Sequence, residues 1–323
     1  MAVVLGAGSW GTSLAILLAS KGEPVTLWAR DAKLVASMEK ERRNPQYVSA
    51  AAFPPSLRVT HDIKAALAGE RHVVHAVPSK ATREFARAYA PHLAPEAVIV
   101  SATKGLEGKT HKRMSEVIHE ETKRPVACIT GPNHAEEVSV GQPTAAVLGF
   151  PDLDLATEWA DLFRTRTFKA YPRRDLVGAE VCGAYKNVVA LAGGMAAGLG
   201  WGDNAAACLI TLGVDEMVEL ATLFGADERT VYGLAGIGDL VATVTSDHSR
   251  NRFYGRELGK GFTPDEIRAK MGGQVAEGVF ATKAFYDYAQ DEQLALPLTR
   301  VIHSILYEGV PIQQGVSDLL ARV

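Results

Sequence analysis

Short apolar runs recur through the first half of the chain, separated by stretches with helical spacing. Ala2–Leu5, Pro24–Ala29, His72–Val77, Ala97–Ser101 and Val126–Thr130 read as strands, with Thr144–Leu148 and Thr167–Tyr171 as two more. Thr12–Ser20, Thr82–Ala90 and Thr110–Glu121 carry helical patterns between them. A strand apolar on both faces must be covered on both sides. The alternation therefore predicts an α/β unit with a mostly parallel sheet and helices on both faces. Residues Ser37–Leu57 show neither period and contain prolines, so a loop or short helices are expected there.

After Tyr171-Pro172-Arg173-Arg174 the pattern changes. Long Ala/Gly/Leu/Val runs replace the strands. Val181–Gly198, Ala205–Leu223, Thr263–Lys270, Val279–Asp291 and Pro297–Leu306 read as helices. We place the boundary at residue 176. The expected organisation is a Rossmann-like dinucleotide-binding domain over 1–176 and an all-helical substrate-binding domain over 177–323, with a cleft between them. The apolar stretch Val188–Gly202 is too short to span a bilayer and reads as a buried helix.

The first strand runs into Gly6-Ala-Gly8-Ser9-Trp10-Gly11, and a helix follows. Strand, G-x-G-x-x-G turn and helix form a phosphate-gripping unit. Gly6 permits the tight turn, Gly8 admits a pyrophosphate close to the backbone, and Gly11 lets the helix sit on the strand. Helix N–H groups and the positive helix end then hold the phosphates. Ligands of such sheets lie beyond the strand ends, which here carry Arg30-Asp31, Ser79-Lys80, Lys104-Gly105 and Gly131-Pro-Asn133. An NAD site has an acidic residue about twenty positions past the glycines. Arg30 stands there instead, and its fork suits a 2′-phosphate, so NADPH is favoured over NADH. Asp31 beside it keeps an ordinary solvent-facing arginine in play.

Composition narrows the class. The 323 residues are 47% hydrophobic and 22% charged, ample for two cores. A net charge of −3 gives no footprint for general nucleic-acid binding. Cys128, Cys182 and Cys208 are far apart, which argues for reduced thiols in a cytoplasmic protein and against a zinc site. With a strand at the start of the chain, no signal peptide is expected.

Three segments of the helical half carry candidate chemistry. Lys186 sits among small and apolar residues in Gly183-Ala-Tyr-Lys-Asn187. Desolvation of such an ammonium lowers its pKa toward the range of proton exchange. On spacing alone, the plainer reading is a lysine whose stem crosses apolar surface to water. Gly236-Ile-Gly238-Asp239-Leu240 and Ser249-Arg250-Asn251-Arg252 follow. The latter gathers two guanidinium groups, a hydroxyl and an amide, which fits a phosphate or simply a solvated loop.

Gly6-Ala-Gly-Ser-Trp-Gly-Thr, Ser101-Ala-Thr-Lys-Gly, Gly131-Pro-Asn, Tyr185-Lys-Asn, Gly238-Asp-Leu and Ser249-Arg-Asn-Arg occur in this order. Together they make the chain resemble the bacterial NAD(P)-dependent glycerol-3-phosphate dehydrogenases as far as about Gly278. The resemblance implies reversible reduction of dihydroxyacetone phosphate, feeding glycerophospholipid synthesis in the cytoplasm. Charge and the short apolar stretches lead us to expect no nucleic-acid partner and no membrane insertion, and the Gly/Ala-rich helices could pack within one chain or across a homodimer. The resemblance assigns Ser9, Trp10, Arg30, Lys104, Ala135, Arg250 and Glu277 to the cofactor, beside the three glycines. Lys104, Gly131, Asn133, Lys186, Asp239, Thr243, Ser249, Arg250 and Asn251 fall to the substrate. Lys186 matches the proton-exchanging group, with Asp239 and Lys104 beside it in catalysis; no metal is implied. Thr243 stands one helical turn after Asp239, within reach of the same lysine. Two positions depart from the family pattern. Asn133-His134 stands where many members have a small hydroxyl residue and an aromatic, and Tyr185 where an aliphatic residue is common. Two rivals share the layout. Hydroxyacid and ketopantoate-type reductases should lack the combined Gly-Asp-Leu and Ser-Arg-Asn-Arg segments. A non-catalytic nucleotide sensor would not need Lys186 and Asp239 together.

Overall fold

A computed structural model describes residues 2–272, 274 and 276–321. Val275, with which the Glu277 segment opens, lies outside the described residues. Two compact units divide the chain: residues 1–103 with 114–176, and residues 104–113 with 177–323.

The first unit holds strands β1 (Ala2–Leu5), β2 (Val25–Trp28), β3 (Arg43–Asn44), β4 (Val48–Ala52), β5 (Leu57–Thr60), β6 (His72–His75), β7 (Val98–Ser101), β8 (Val126–Thr130), β9 (Thr144–Gly149) and β10 (Phe168–Arg173). Eight of them form one sheet in the order β10-β9-β8-β7-β6-β1-β2-β5. Its pairs are parallel except β8 with β9. Alternate side chains feed two cores, because successive residues of a strand face opposite sides. Val4, Leu27, Val74 and Val100 pack on one face. Val3, Leu5, Val73 and Ile99 pack on the other with Ala86 and Tyr89. The chain builds outward from β1 to β2 and β5, then restarts at β6 on the other side of β1. The reversal puts a topological switch point at the β1/β6 ends, where sheets of this kind bind ligands.

The segment Ser37–Leu57 differs from expectation. Helix Ala32–Glu41 runs into it, Arg42 turns the chain at φ 52°, and β3 and β4 form an antiparallel hairpin. The buried amide of Asn44 fixes this hairpin on the glycine turn, a long-range contact that no local period encodes. The helix expected over Thr110–Glu121 begins only at Met114. Residues 106–113 instead close a small hairpin through an antiparallel bridge between Leu106 and Arg113, with His111 at φ 55°.

From residue 176 onward the described residues contain no strand. The second unit is built on α2 (Leu176–Gly198), α3 (Asp203–Leu223), α4 (Asp239–Thr245), α5 (Arg250–Gly259), α6 (Glu277–Asp291) and α7 (Pro297–Tyr307), where α1 denotes Ser9–Ala19 of the first unit. Every residue of α2 from Gly178 to Ala196 is buried, so it shows no polar stripe. No described helix is long and apolar enough to cross a membrane.

Glycines let α2 and α5 touch backbone to backbone. A Cβ at Gly194 would stand 2.2 Å from the Arg252 carbonyl oxygen, one at Gly198 2.2 Å from that of Arg256, and one at Gly255 2.2 Å from that of Leu191. These stretches of α2 and α5 thus pack against each other within the chain. Gly194→Ala should cost roughly 1–3 kcal/mol, since the obstacle is backbone that cannot swing aside. A lowered urea midpoint at constant slope would record it; an unchanged midpoint would show that the helices separate freely.

Candidate active site

In the first unit the glycine turn leaves β1 at the switch point. Gly6 adopts φ 115°, and a Cβ there would lie 2.4 Å from the Ala76 carbonyl oxygen. A Cβ at Gly11 would lie 2.0 Å from the Gly6 carbonyl oxygen. Around the Cβ position of Gly8 there is nothing within 4 Å. Two glycines therefore admit the chain's own backbone, and the third faces open space. Gly8 is the N-cap of α1 with no side-chain cap, and the first turn carries no acidic residue. N–H groups at that end are left for an anion. The indole N–H of Trp10 is buried without a partner among the described residues. This cradle fits a dinucleotide pyrophosphate.

Its supports come from residues far along the chain. Asn44 Nδ2 donates to the Ala7 carbonyl at 2.9 Å and to Thr12 Oγ1 at 2.8 Å. Ser13 Oγ donates to the Ala135 carbonyl at 2.7 Å, which fixes Ala135 at the start of its helix against α1. Ser9 is buried within α1. Arg30 is exposed just past β2. Asp31 caps the next helix by accepting from the Lys33 N–H at 2.8 Å, so its carboxylate has a local job. Gly131 turns out of β8 at φ 134°, where a Cβ would meet the Ala146 Cα at 3.0 Å. Asn133 is buried two residues on.

In the second unit Lys186 lies in the middle of α2, and its ammonium is buried. Lys186 Nζ donates to Asp239 Oδ1 at 2.6 Å and to Thr243 Oγ1 at 2.7 Å. Lys104 Nζ donates to the other carboxylate oxygen, Asp239 Oδ2, at 2.8 Å. Asp239 begins α4 after a single π-helical turn over Leu234–Gly238. That turn requires Gly236, since a Cβ there would stand 1.9 Å from the Val231 carbonyl oxygen. Thr243, one turn on, donates its own hydrogen to the Asp239 carbonyl at 2.6 Å. Toward Lys186 it can then only accept.

Burial pushes Lys186 down to about 7; Asp239 opposes this, and the Lys104 ammonium adds to it. Burial alone would raise Asp239, but the Lys104 and Lys186 ammonium groups together hold it below its ordinary value. A buried carboxylate between two cations is paired on both oxygens, which is what makes its ionised form tolerable. The ammonium of Lys186 has three hydrogens, and Asp239 and Thr243 take two.

Ser249 is the N-cap of α5, its hydroxyl accepting from the Arg252 N–H at 3.1 Å. Arg250 is exposed at the first helical position. The Arg252 guanidinium pairs with Asp247 at 2.5 Å. Asn251 is buried and acts between helices: its Nδ2 donates to Asn187 Oδ1 at 2.8 Å, and its Oδ1 accepts from the Gly278 N–H at 2.8 Å. Glu277 opens α6 next to that contact. Tyr185, the residue before Lys186, is buried and donates to the buried Glu216 carboxylate, which also accepts from the Leu298 and Thr299 N–H groups at the start of α7. The tyrosine therefore completes a polar site in which an aliphatic residue would leave Glu216 one donor short.

Family models described as NAD-dependent glycerol-3-phosphate dehydrogenase N-terminus and C-terminus match residues 1–156 and 175–317. A protein of Chlorobium limicola named glycerol-3-phosphate dehydrogenase (NAD(P)+) is 45% identical, covering 99% of this chain and 97% of its own. One of Chlorobium luteolum with the same name is 43% identical over the same shares. The crystal structure of glycerol-3-phosphate dehydrogenase from Coxiella burnetii is similar at a TM-score of 0.95 and 38% identity, covering 98% of each chain.

Proposed function

The chain belongs to the NAD-dependent glycerol-3-phosphate dehydrogenase family, and from that premise we propose that Lys186 is the group that gives and takes the proton. The reaction is the reversible, NAD(P)H-dependent reduction of dihydroxyacetone phosphate to sn-glycerol 3-phosphate, a precursor of glycerophospholipids. One observation carries the assignment: the buried Lys186 ammonium is bound by Asp239 and Thr243 through two of its three hydrogens. The third is left to hydrogen-bond the ketone oxygen.

When bound, the reduced nicotinamide supplies the hydride that the ketone carbon accepts. As negative charge grows on the ketone oxygen, the third N–H of Lys186 stabilises it and then transfers. In the reverse direction the neutral amine takes the hydroxyl proton, while Asp239 and Thr243 still hold the other two hydrogens. A pKa of about 7 populates both forms near neutrality, so one group serves both directions. Lys104 keeps Asp239 paired whichever form Lys186 is in. Gly131 and Asn133 are assigned to the substrate at the β8 end. Arg30 is assigned to the 2′-phosphate of NADPH, since Asp31 is engaged as a cap. We place the reaction in the reducing cytoplasm, consistent with three free cysteines.

The substrate phosphate is assigned to the start of α5. Ser249 takes only the Arg252 N–H, which leaves those of Arg250 and Asn251 for an anion beside the exposed Arg250 guanidinium. Arg250→Ala should raise KM for dihydroxyacetone phosphate by roughly tenfold or more, far more than it does for unphosphorylated dihydroxyacetone. Equal losses on both ketones would remove Arg250 from phosphate binding.

A further inference from the structure

We propose that Arg113, through its ion pair with Glu180, is a positioning residue that holds Lys104 on the Asp239 carboxylate beside the proton donor, an inference that rests on the reading of Lys186 given above. Lys104 opens a short excursion: residues 104–113 group with the helical unit, although the chain on both sides groups with the sheet unit. The excursion is a compact hairpin. Leu106 and Arg113 form its antiparallel bridge, the Glu107 N–H donates to the Lys112 carbonyl at 2.9 Å, and the His111 N–H donates to the Glu107 carbonyl at 2.8 Å. Gly105, at φ 150°, separates Lys104 from the bridge.

Beside Lys104 itself, the side chains of Leu106, Arg113 and His111 fasten this hairpin to the helical unit. Leu106 is buried in the same apolar cluster as Val181 and Cys182 of α2. Arg113 Nη1 donates to Glu180 Oε2 at 2.6 Å, and both side chains are largely buried. His111 lies 3.2 Å from Asp291 and packs on Tyr288 of α6. Glu180 precedes Lys186 by six residues on α2, about 9 Å along the helix axis. One buried helix therefore carries both the anchor of the hairpin and the proton donor. A free lysine side chain loses up to about 2 kcal/mol of rotamer freedom when fixed. Anchoring its backbone from the helix that presents Lys186 removes part of that disorder and sets the Lys104 head against Asp239.

The arrangement has a chemical consequence. Among the described residues, Asp239 from α4 and Lys104 from the hairpin are the charged groups that act on Lys186. Lys104 repels the Lys186 ammonium and shares its counterion, so displacing Lys104 removes that repulsion and lets the Lys186 pKa rise from about 7. A rise keeps Lys186 protonated to higher pH. Reduction then persists further into alkali, and glycerol 3-phosphate oxidation near neutrality slows because less free amine is present.

The test compares Arg113→Met, Glu180→Gln and Lys104→Met. It follows kcat against pH in both directions, and Lys186 Nζ by NMR titration of 15N-lysine-labelled protein without ligands. Arg113→Met should move the titration upward by about half a unit to one unit, as Lys104→Met does. The double variant should move it no further than Lys104→Met alone, and Arg113→Lys should restore part of the change. If Arg113→Met does not fold, Glu180→Gln carries the same expectation. A folded variant whose titration stays put, whatever its melting temperature or rate, overturns the positioning role, as does a shift that adds fully to that of Lys104→Met. Lys186→Ala separates this failure from that of the underlying reading. If that variant is inactive while the titration fails to move, only the positioning role falls; if it keeps normal turnover, the proton-donor reading falls first.

Discussion

Exchange of Lys186 for alanine is expected to lower kcat for ketone reduction by roughly a hundredfold to ten-thousandfold. Cofactor affinity should change little, because the glycine turn and Arg30 belong to the other unit. The loss is large because the ammonium is buried and already oriented, so its proton can transfer without reorganisation of water. The wild-type pH profile gives the sign. Reduction needs the protonated lysine and should fall as pH rises through about 7, whereas oxidation needs the free amine and should fall as pH drops through the same value. Stopped-flow measurement of nicotinamide absorbance in both directions checks this. Mirror-image limbs that vanish in Lys186→Ala establish the role; near-normal turnover in the variant would falsify it.

Asp239→Ala should have the second large effect, on stability and activity together. It leaves the Lys104 and Lys186 ammonium groups with no carboxylate between them. Removing one partner from a buried ion pair costs about 3–5 kcal/mol, because the remaining charge is uncompensated. The cheaper outcome is deprotonation of Lys186, whose pKa should fall below 7 once the opposing carboxylate is gone. At pH 7 the variant should then be poor at reduction, and acidification should restore part of the rate by recharging the lysine. Urea titration at two pH values reads the stability. The expected loss is larger at pH 6 than at pH 8, since the unfolded chain keeps Lys186 protonated while the folded variant holds it neutral to a lower pH than the wild type does. A loss independent of pH would mean that Asp239 acts through packing alone.

Tyr185 and Asn44 owe their roles to partners that no local pattern encodes. Tyr185 stands out in sequence as a departure from its family, but its reason is Glu216, thirty-one residues away on another helix and reaching the start of a third. Asn44 sits in a stretch without periodicity, yet its amide holds the glycine turn. Asn251 falls among the candidate phosphate contacts by its place in Ser-Arg-Asn-Arg, and only the packed helices show that its amide also spans α2, α5 and α6.

What the sequence determined by itself was whatever depends on neighbours along the chain. Strands β1 and β2 and those from β6 onward, the long helices of the second half, the glycine turn and the one-turn spacing of Asp239 and Thr243 all follow from local periods and steric freedom. Tertiary structure decided what depends on residues far apart in sequence: that Lys186 is buried, that Asp239 lies between two lysines, and that residues 104–113 pair with the helical unit. The physical reason is that periodicity encodes which face of an element is apolar, whereas the protonation of a lysine depends on the charges and the water excluded around it. Those are fixed only when Lys104, α2 and α4 pack together.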